Sequence, residues 1–429
     1  MRRFAQTRSV RRLSAALVGA ALVLGPLAQP AAADSGVFGS GSGTSEFGQD
    51  IIFSQAVSGS IKSASILIRI PNDSISLPGI VGPAMAAVGA PADGELTYSL
   101  DTSTASVPPF APVEAQFEVV LPDGTVSDGP EIKVIYADDR FTWQIKVGKV
   151  VRLHYIDASD SFAQTMLDLA DGGVTKAASL FGVTETKPID YYVYPSQSSF
   201  QQGLSEPGTV GGVALPSYRT CFAIVQPDDD SYAADVMPHE PTHIVFSDAT
   251  GNPYHDPPRW LNEGFAQYVA QGYDSSSRLL VEQSARDGTM PSLLALTNYF
   301  PLDSDRIYLA YAESVAAVDL LVSKFGRPAV LKLVAAYGKG DSDDEAFKAA
   351  LGVDVAGFAA DFMAANDATS QTYGPQPEPA SPGTASSDGS GSSGPGGLYL
   401  LAALMAVSGL ILLMAAARIA VSARGRAAR

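Results

Sequence analysis

Between Asp50 and Asp139 apolar and polar residues alternate in short runs, and turn signals cut the alternation at regular intervals. The segments "DIIFSQAV", "ASILIRI", "ELTYSL", "AQFEVVLPDGTVSDG" and "EIKVIYADD" each fit a pleated strand with one face turned inward. The turns "PDGT" and "SDGP" supply Asp and Gly where a chain reverses. Antiparallel strands and a small sandwich are predicted. The stretch Ser76 to Gly94, "SLPGIVGPAMAAVGAPADG", fits neither the strand nor the helix period and reads as a long loop.

After "RFTWQIKVGKVVRLHYID" the period changes. Ser159 to Val183 places apolar residues at helical spacing, a strand "IDYYVY" follows, and then come the Gly-rich "GTVGGVALPS" and the strand "CFAIVQP". Beyond Asp235 the pattern is helical through "RIYLAYAESVAAVDLLVSKFG", "PAVLKLVAAYG", "AFKAALG" and "FAADFMAAN". An α+β lobe leading into a helical lobe is the order expected of a cleft enzyme.

The ends of the chain have a different character. Residues 1–33 carry five arginines and no acid, then "LSAALVGAALVLGPLA", and close on "AAA" before Asp34, which reads as an export signal cleaved after Ala33. Leu398 to Ala417 is an uncharged run long enough to cross a bilayer. Arg418, Arg424, Arg426 and Arg429 follow it without an acid, so the expected topology is a single pass with the tail inside and the body outside the cell membrane. Before that run, Gly374 to Gly397 is rich in Pro, Ser and Gly and reads as a stalk. The expected organisation is therefore a signal over 1–33, a β-sandwich-like domain over 34–140, an enzyme domain over 141–367, a stalk over 368–397, a transmembrane helix over 398–417 and a basic cytoplasmic tail over 418–429. Between Asp34 and Gly397 there are 19 basic and 45 acidic residues, a net charge of −26, which argues against nucleic acid as a partner. Cys221 is the only cysteine, so the chain forms no internal disulfide, and its apolar setting "CFAIV" suits an inert core thiol.

The chemistry concentrates in "MPHEPTHIVF", Met237 to Phe246. His239 and His243 are four apart, so on a helix they share a face and can reach one Zn²⁺ together. Glu240, rotated by about 100°, stands beside the metal as a general base for water. Twenty positions after His243, "PRWLNEGFAQYVA" offers Glu263 as a third ligand. Two histidines and one carboxylate leave a fourth position open, the mark of a catalytic zinc site. The obstacle is Pro241 in the middle of the motif. Pro238 suits a first helical position, which would make Met237 the N-cap and put Pro241 only at the fourth, where the missing hydrogen bond is the first of the helix and the distortion is absorbed at its end. Helical geometry is thus expected from His239 through His243, with the helix starting at or shortly before Pro238.

On "HEPTHIVF", "PPRWLNEGFAQYVA", "YAESVAAVDLLVSKFG", the upstream "GGVA" and the strand module "FEVVLPDGTVSDGPEIKVIYADDRFTWQ", the chain resembles the gluzincin metallopeptidases, and more closely the peptidase MA-like group of exported bacterial proteins. The resemblance covers most of Ala115 to Asn366. It implies an α+β, thermolysin-like gluzincin domain with an α+β upper lobe and a helical lower lobe, preceded by the small all-β domain and followed by the single transmembrane helix. It also implies zinc on His239, His243 and Glu263, water activation by Glu240, hydrolysis of a peptide or protein substrate, and an oxyanion donor from a later helix. Tyr311 is the best match for that donor and Tyr308 the second, although both also fit a packed helix face. "GGVAL" would be an edge strand beside the cleft or a plain Gly-rich loop, and Asn262 would orient a ligand or substrate or face solvent.

Two departures from the family pattern bear on activity. Where many gluzincins carry an acid four residues after the third ligand, this chain has Gln267, whose oxygen can accept from an imidazole without adding charge. The Gly-x-Met-x-Asn element of the aminopeptidase branch is missing, which favours an endopeptidase. A non-catalytic adhesion or binding module built on the zinc fold is the alternative, and hydrolysis of a non-protein amide such as a wall peptide bond is a third. Of the remaining candidates, His154 reads as a strand residue, His255 as a solvated loop residue, and Asp228 to Asp230 as a solvated turn lacking calcium-loop spacing.

Overall fold

The computed structural model describes residues 37–70, 84–102, 107–204, 211–301 and 304–369. The expected signal, the Gly374 to Gly397 stalk, the 398–417 span and the tail lie outside the described residues. Among the described residues no helix is long and apolar enough to cross a membrane.

The N-terminal region is β-rich. One antiparallel sheet has the order β1 (Phe38–Ser45), β2 (Asp50–Val57), β5 (Glu95–Asp101). The other runs β4 (Ala84–Val88), β3 (Ser63–Arg69), β6 (Pro112–Val120), β7 (Val126–Asp128), with β8 (Ile132–Ile135) also paired to β6. Ile51, Phe53 and Leu96 from the first sheet share a core with Ile66, Ile68, Val113, Phe117 and Val119 from the second. Those are the inward positions of the period-two pattern, and β6 alternates strictly between half-buried and buried. Two strands depart from the expectation. β4 lies inside the stretch read as a loop, where the small residues "AMAAV" give no alternation yet pair in register with β3. β1, "FGSGSGTS", has almost no apolar signal. Its glycines let it lie over β8, since a Cβ at Gly43 would sit 2.2 Å from Val134 Cγ2.

A five-stranded sheet follows, with the order β12 (Gly212–Leu215), β13 (Thr220–Ile224), β11 (Ile189–Tyr194), β10 (Val151–Tyr155), β9 (Gln144–Val147). β10, β11 and β13 are parallel, and the edge strands β9 and β12 are antiparallel. Val151, Leu153, Tyr191, Val193, Cys221 and Ala223 face one core, shared with α1 (Asp160–Phe181) and α3 (Asp230–Thr250). Tyr192, Tyr194, Phe222 and Ile224 face the other way into an aromatic cluster that includes Phe200 of α2 (Gln197–Leu204), Phe110 and Trp143. Phe110, from the β-rich region, stacks on Tyr192 with centroids 3.6 Å apart.

The remainder is helical: α4 (Arg259–Ala270), α5 (Ser275–Asp287), α6 (Ser304–Tyr337), α7 (Asp343–Leu351) and α8 (Val355–Ala365). α6 breaks at Gly326, φ 73°, just before Pro328, which divides it where the sequence pattern separates "SKFG" from "PAVLKL".

α3 corrects the proline argument. Helical geometry does span His239 to His243, but the helix begins at Asp230, eight residues before Pro238, and its N-cap is Asp229 rather than Met237. Asp229 accepts from the Tyr232 N–H at 3.1 Å, so the acidic run read as a solvated turn starts this helix. Both prolines are interior. They leave the carbonyls of Ala234 and Met237 without their helical donors, while neighbouring carbonyls gain side-chain ones: the Tyr191 hydroxyl donates to the Val236 carbonyl at 3.1 Å, and the Thr242 hydroxyl donates to the Pro238 carbonyl at 2.8 Å. Gly173 of α1 admits Pro238 at backbone contact, a Cβ there meeting Pro238 Cα at 2.5 Å.

Candidate metal centre

α3 presents His239, Glu240 and His243, and α4 presents Glu263; all four are buried. One donor atom from each of His239, His243 and Glu263 falls within 4.8 Å of the others. The separations are 3.1 Å between the two imidazole Nε2 atoms, 3.5 Å from His239 Nε2 to Glu263 Oε2, and 3.7 Å from His243 Nε2 to the same oxygen. A tetrahedral ion with bonds near those of zinc holds its donors about 3.3 Å apart, so the three atoms outline one face of such a polyhedron. Burial pushes the pKa of His239 down to about 3 and that of His243 to about 4, and it pushes Glu263 up to about 7. Near neutral pH both imidazoles are therefore neutral, so their approaches to Glu263 are not ion pairs. Neutral imidazole is the form that binds a metal. Neither Glu263 oxygen has a hydrogen-bond partner among the described residues, which at full burial is costly unless a cation is meant to sit there. The donor set fits Zn²⁺.

Glu240 flanks this face without contributing to it. Burial raises its pKa well above the carboxylate range, and the charge of Glu263 adds to the effect; a divalent cation among the three donors opposes both. Its carboxylate rests against β12, where a Cβ on Gly212 would stand 2.5 Å from Glu240 Oε1. The GGVA segment is thus the edge strand of the sheet and lies beside Glu240, with no strand on its outer side among the described residues. Tyr311 of α6 is buried, with its pKa raised by burial first, then by the charge of Glu263, with Glu240 contributing and Arg259 opposing. Its hydroxyl therefore lies within electrostatic range of both carboxylates. The convergence of α4 and α6 depends on Gly264, where a Cβ would meet the Ser314 carbonyl oxygen at 2.4 Å. Tyr308 is half-buried against the core.

Asn262 faces the site rather than solvent: its Oδ1 lies 2.8 Å from His243 Nδ1. The amide oxygen can only accept, so Nδ1 carries the proton and Nε2 keeps its lone pair for the metal face. Gln267 does not do the same for His239, because His239 Nδ1 and Gln267 Nε2 both lack a partner among the described residues. Asn262→Ala is expected to weaken zinc binding by about 10- to 100-fold, read by competition with a chromophoric chelator.

The other candidates lie elsewhere. His154 bonds Asp190 at 2.8 Å and stacks on Tyr192 on the far face of the sheet. His255 is not a free loop residue: its Nε2 is 2.9 Å from Asp343 Oδ1, which also accepts from the Tyr337 hydroxyl at 2.8 Å, so it ties the α3–α4 connection to α7. Cys221 is fully buried and its pKa is raised by that burial, which suits a core thiol. Arg259 had no individual signal in the sequence except its position four residues before Glu263, yet its Nε reaches within 4.0 Å of Glu263 Oε1.

Residues 169–366 match the family model of the Peptidase MA superfamily. No curated protein matches the chain. Among solved structures, the chain is similar to an aminopeptidase N family protein from Idiomarina loihiensis, at 12% identity over 75% of each chain with a TM-score of 0.41. It is also similar to an M1 zinc metallopeptidase from Deinococcus radiodurans, at 12% identity over 80% of this chain and 94% of that one with a TM-score of 0.33. The native yeast LTA4 hydrolase is similar at 12% identity over 77% of this chain and 66% of that one, with a TM-score of 0.33.

Proposed function

We propose, from the match of residues 169–366 to the Peptidase MA superfamily model, that the protein is a zinc metallopeptidase that hydrolyses peptide bonds inside a chain, held at the outer face of the cell membrane by residues 398–417. The observation that carries this reading is the convergence of His239, His243 and Glu263 donors within 4.8 Å, fully buried, with Glu240 beside them. Zn²⁺ held by these three residues would supply a Lewis acid that polarises the scissile carbonyl and acidifies water.

The rest falls to the chain itself. An extended peptide adds to the outer edge of β12, whose backbone groups set its register. Glu240 takes the proton of the attacking water and returns it to the leaving amine nitrogen. Tyr311 donates a hydrogen bond to the oxygen that gains charge. β12 reads Gly-Val-Ala-Leu and brings no carboxylate to hold an α-amino group, which supports internal cleavage over amino-terminal trimming. The β-rich region over 34–140 is a separate domain in this reading.

The test is cleavage of labelled denatured casein by the full-length protein, with zinc content measured in parallel. Glu240→Gln is expected to keep one zinc per chain and to lose about 10²- to 10⁴-fold in rate. One zinc per chain without cleavage, across casein and a pool of denatured proteins, would turn the reading to a surface binding module. Release of products from isolated cell-wall material alone would turn it to a wall amidase.

A further inference from the structure

Arg259 opens α4 one turn before Glu263, and its side chain is only 11% exposed. Burying a guanidinium is unfavourable unless its charge and its donors are used. Its backbone N–H donates to the Thr297 carbonyl at 2.7 Å, which fixes the first turn of α4. Its guanidinium lies 4.9 Å over the Phe300 ring, and Phe300 meets the Tyr311 ring edge-on at 5.1 Å. Nε approaches Glu263 Oε1 at 4.0 Å, longer than a hydrogen bond, whereas the side chain does hydrogen-bond Tyr311. The frame around Arg259 thus leads to the tyrosine as much as to the carboxylate.

A guanidinium has only donors, so in its bond with a phenol the phenol oxygen accepts. We infer that Arg259 is a positioning residue for the peptidase chemistry proposed above: by donating to the Tyr311 oxygen it leaves the phenol proton to point at the oxygen of the scissile carbonyl. Arg259 sets its positive charge beside Glu263 and occupies one side of the Tyr311 oxygen, so the phenol O–H is directed away from the guanidinium. Burial and the neighbouring carboxylates keep Tyr311 a neutral phenol, while Arg259 polarises its O–H in the opposite sense. A lysine does not reproduce this arrangement, because its ammonium lacks the planar guanidinium that stacks over Phe300 while donating to the Tyr311 oxygen.

The inference rests on the zinc-peptidase reading, so the experiment separates the two. Full-length wild type, Arg259→Gln, Arg259→Lys, Tyr311→Phe and the Arg259→Gln/Tyr311→Phe double variant are compared in three measurements. These are zinc affinity by chelator competition, kcat and KM on labelled casein, and Kd for a phosphinic pseudopeptide whose P–O oxygens mimic the charged carbonyl oxygen. Arg259→Gln and Tyr311→Phe are each expected to lower kcat by about 10²-fold, the scale of one lost oxyanion donor, with KM and zinc affinity little changed. The double variant is expected to be no worse than Tyr311→Phe alone in both kcat and phosphinate Kd. Arg259→Lys guards against misfolding of the glutamine variant and is expected to bind zinc normally while losing kcat. Additive losses in the double variant, an unchanged Arg259→Gln, or a loss of zinc in both Arg259 variants that Tyr311→Phe does not share would each overturn the inference and leave the peptidase reading standing. A wild type that binds no zinc, or binds it but neither cleaves casein nor binds the phosphinate, overturns both.

Discussion

Gly212→Val is expected to lower casein cleavage by about 10²- to 10⁴-fold, the contribution of a general base, while zinc stays at one ion per chain. A Cβ at residue 212 would stand 2.5 Å from Glu240 Oε1 and 2.9 Å from Glu240 Cδ, and both belong to the end of a flexible side chain that can move. The carboxylate therefore yields rather than the backbone. Gly212 has no positive φ, and it lies in a strand, where valine is favoured, so the substitution leaves β12 intact. None of His239, His243 or Glu263 is among the nearest atoms. Gly212→Ala shifts the carboxylate less and should fall between wild type and valine. The check is rate and metal content on the same samples. Full activity in the valine variant would mean that Glu240 does not act from this position.

Stripping the metal with a chelator is expected to lower Tm by roughly 8–16 °C. The figure follows from a ligand present at about a thousand times its Kd, which stabilises the folded state by about 4 kcal/mol, and from a shift of about 2–4 °C per kcal/mol for a domain of this size. The physical source is the buried donor set. Without a cation, Glu263 is a fully buried carboxyl with no hydrogen-bond partner among the described residues, and His239 Nδ1 is likewise buried without one. His243→Ala should start from the lowered Tm and fail to recover on adding zinc. Calorimetry with and without Zn²⁺ decides it. A Tm indifferent to chelator in wild type would show that the three donors hold no metal.

Much of this site is legible from local pattern. The i, i+4 spacing of His239 and His243 makes a shared helix face unavoidable once the segment is helical, and the strands of the β-rich region follow the period-two runs closely, as β2 does from Asp50 to Val57. The misreadings share one cause. β1 and β4 are built of small residues that carry no periodic signal and exist because neighbouring strands pair with them. Pro241 looks tolerable only near a helix start, yet it sits deep in α3, a fully buried helix segment packed against α1 at Gly173 and tied to the sheet by Tyr191. Asp228 to Asp230 and His255 looked solvated because their partners, the start of α3 and Asp343 of α7, are set by the fold.

The sequence by itself determined the donor types, the spacing of the two histidines and the order of those strands and helices whose apolar residues recur with a period of 2.0 or 3.6, because these depend on residue chemistry and local periodicity alone. It could not determine which side chains face each other across elements. Tertiary structure decided that Asn262 rather than Gln267 holds an imidazole, that Gly212 leaves room for Glu240, and that Gly264 lets α4 and α6 approach until Arg259 meets Tyr311. Each is a contact between residues distant in the chain. Its existence depends on the ångström-scale separation of packed backbones, which no local pattern encodes.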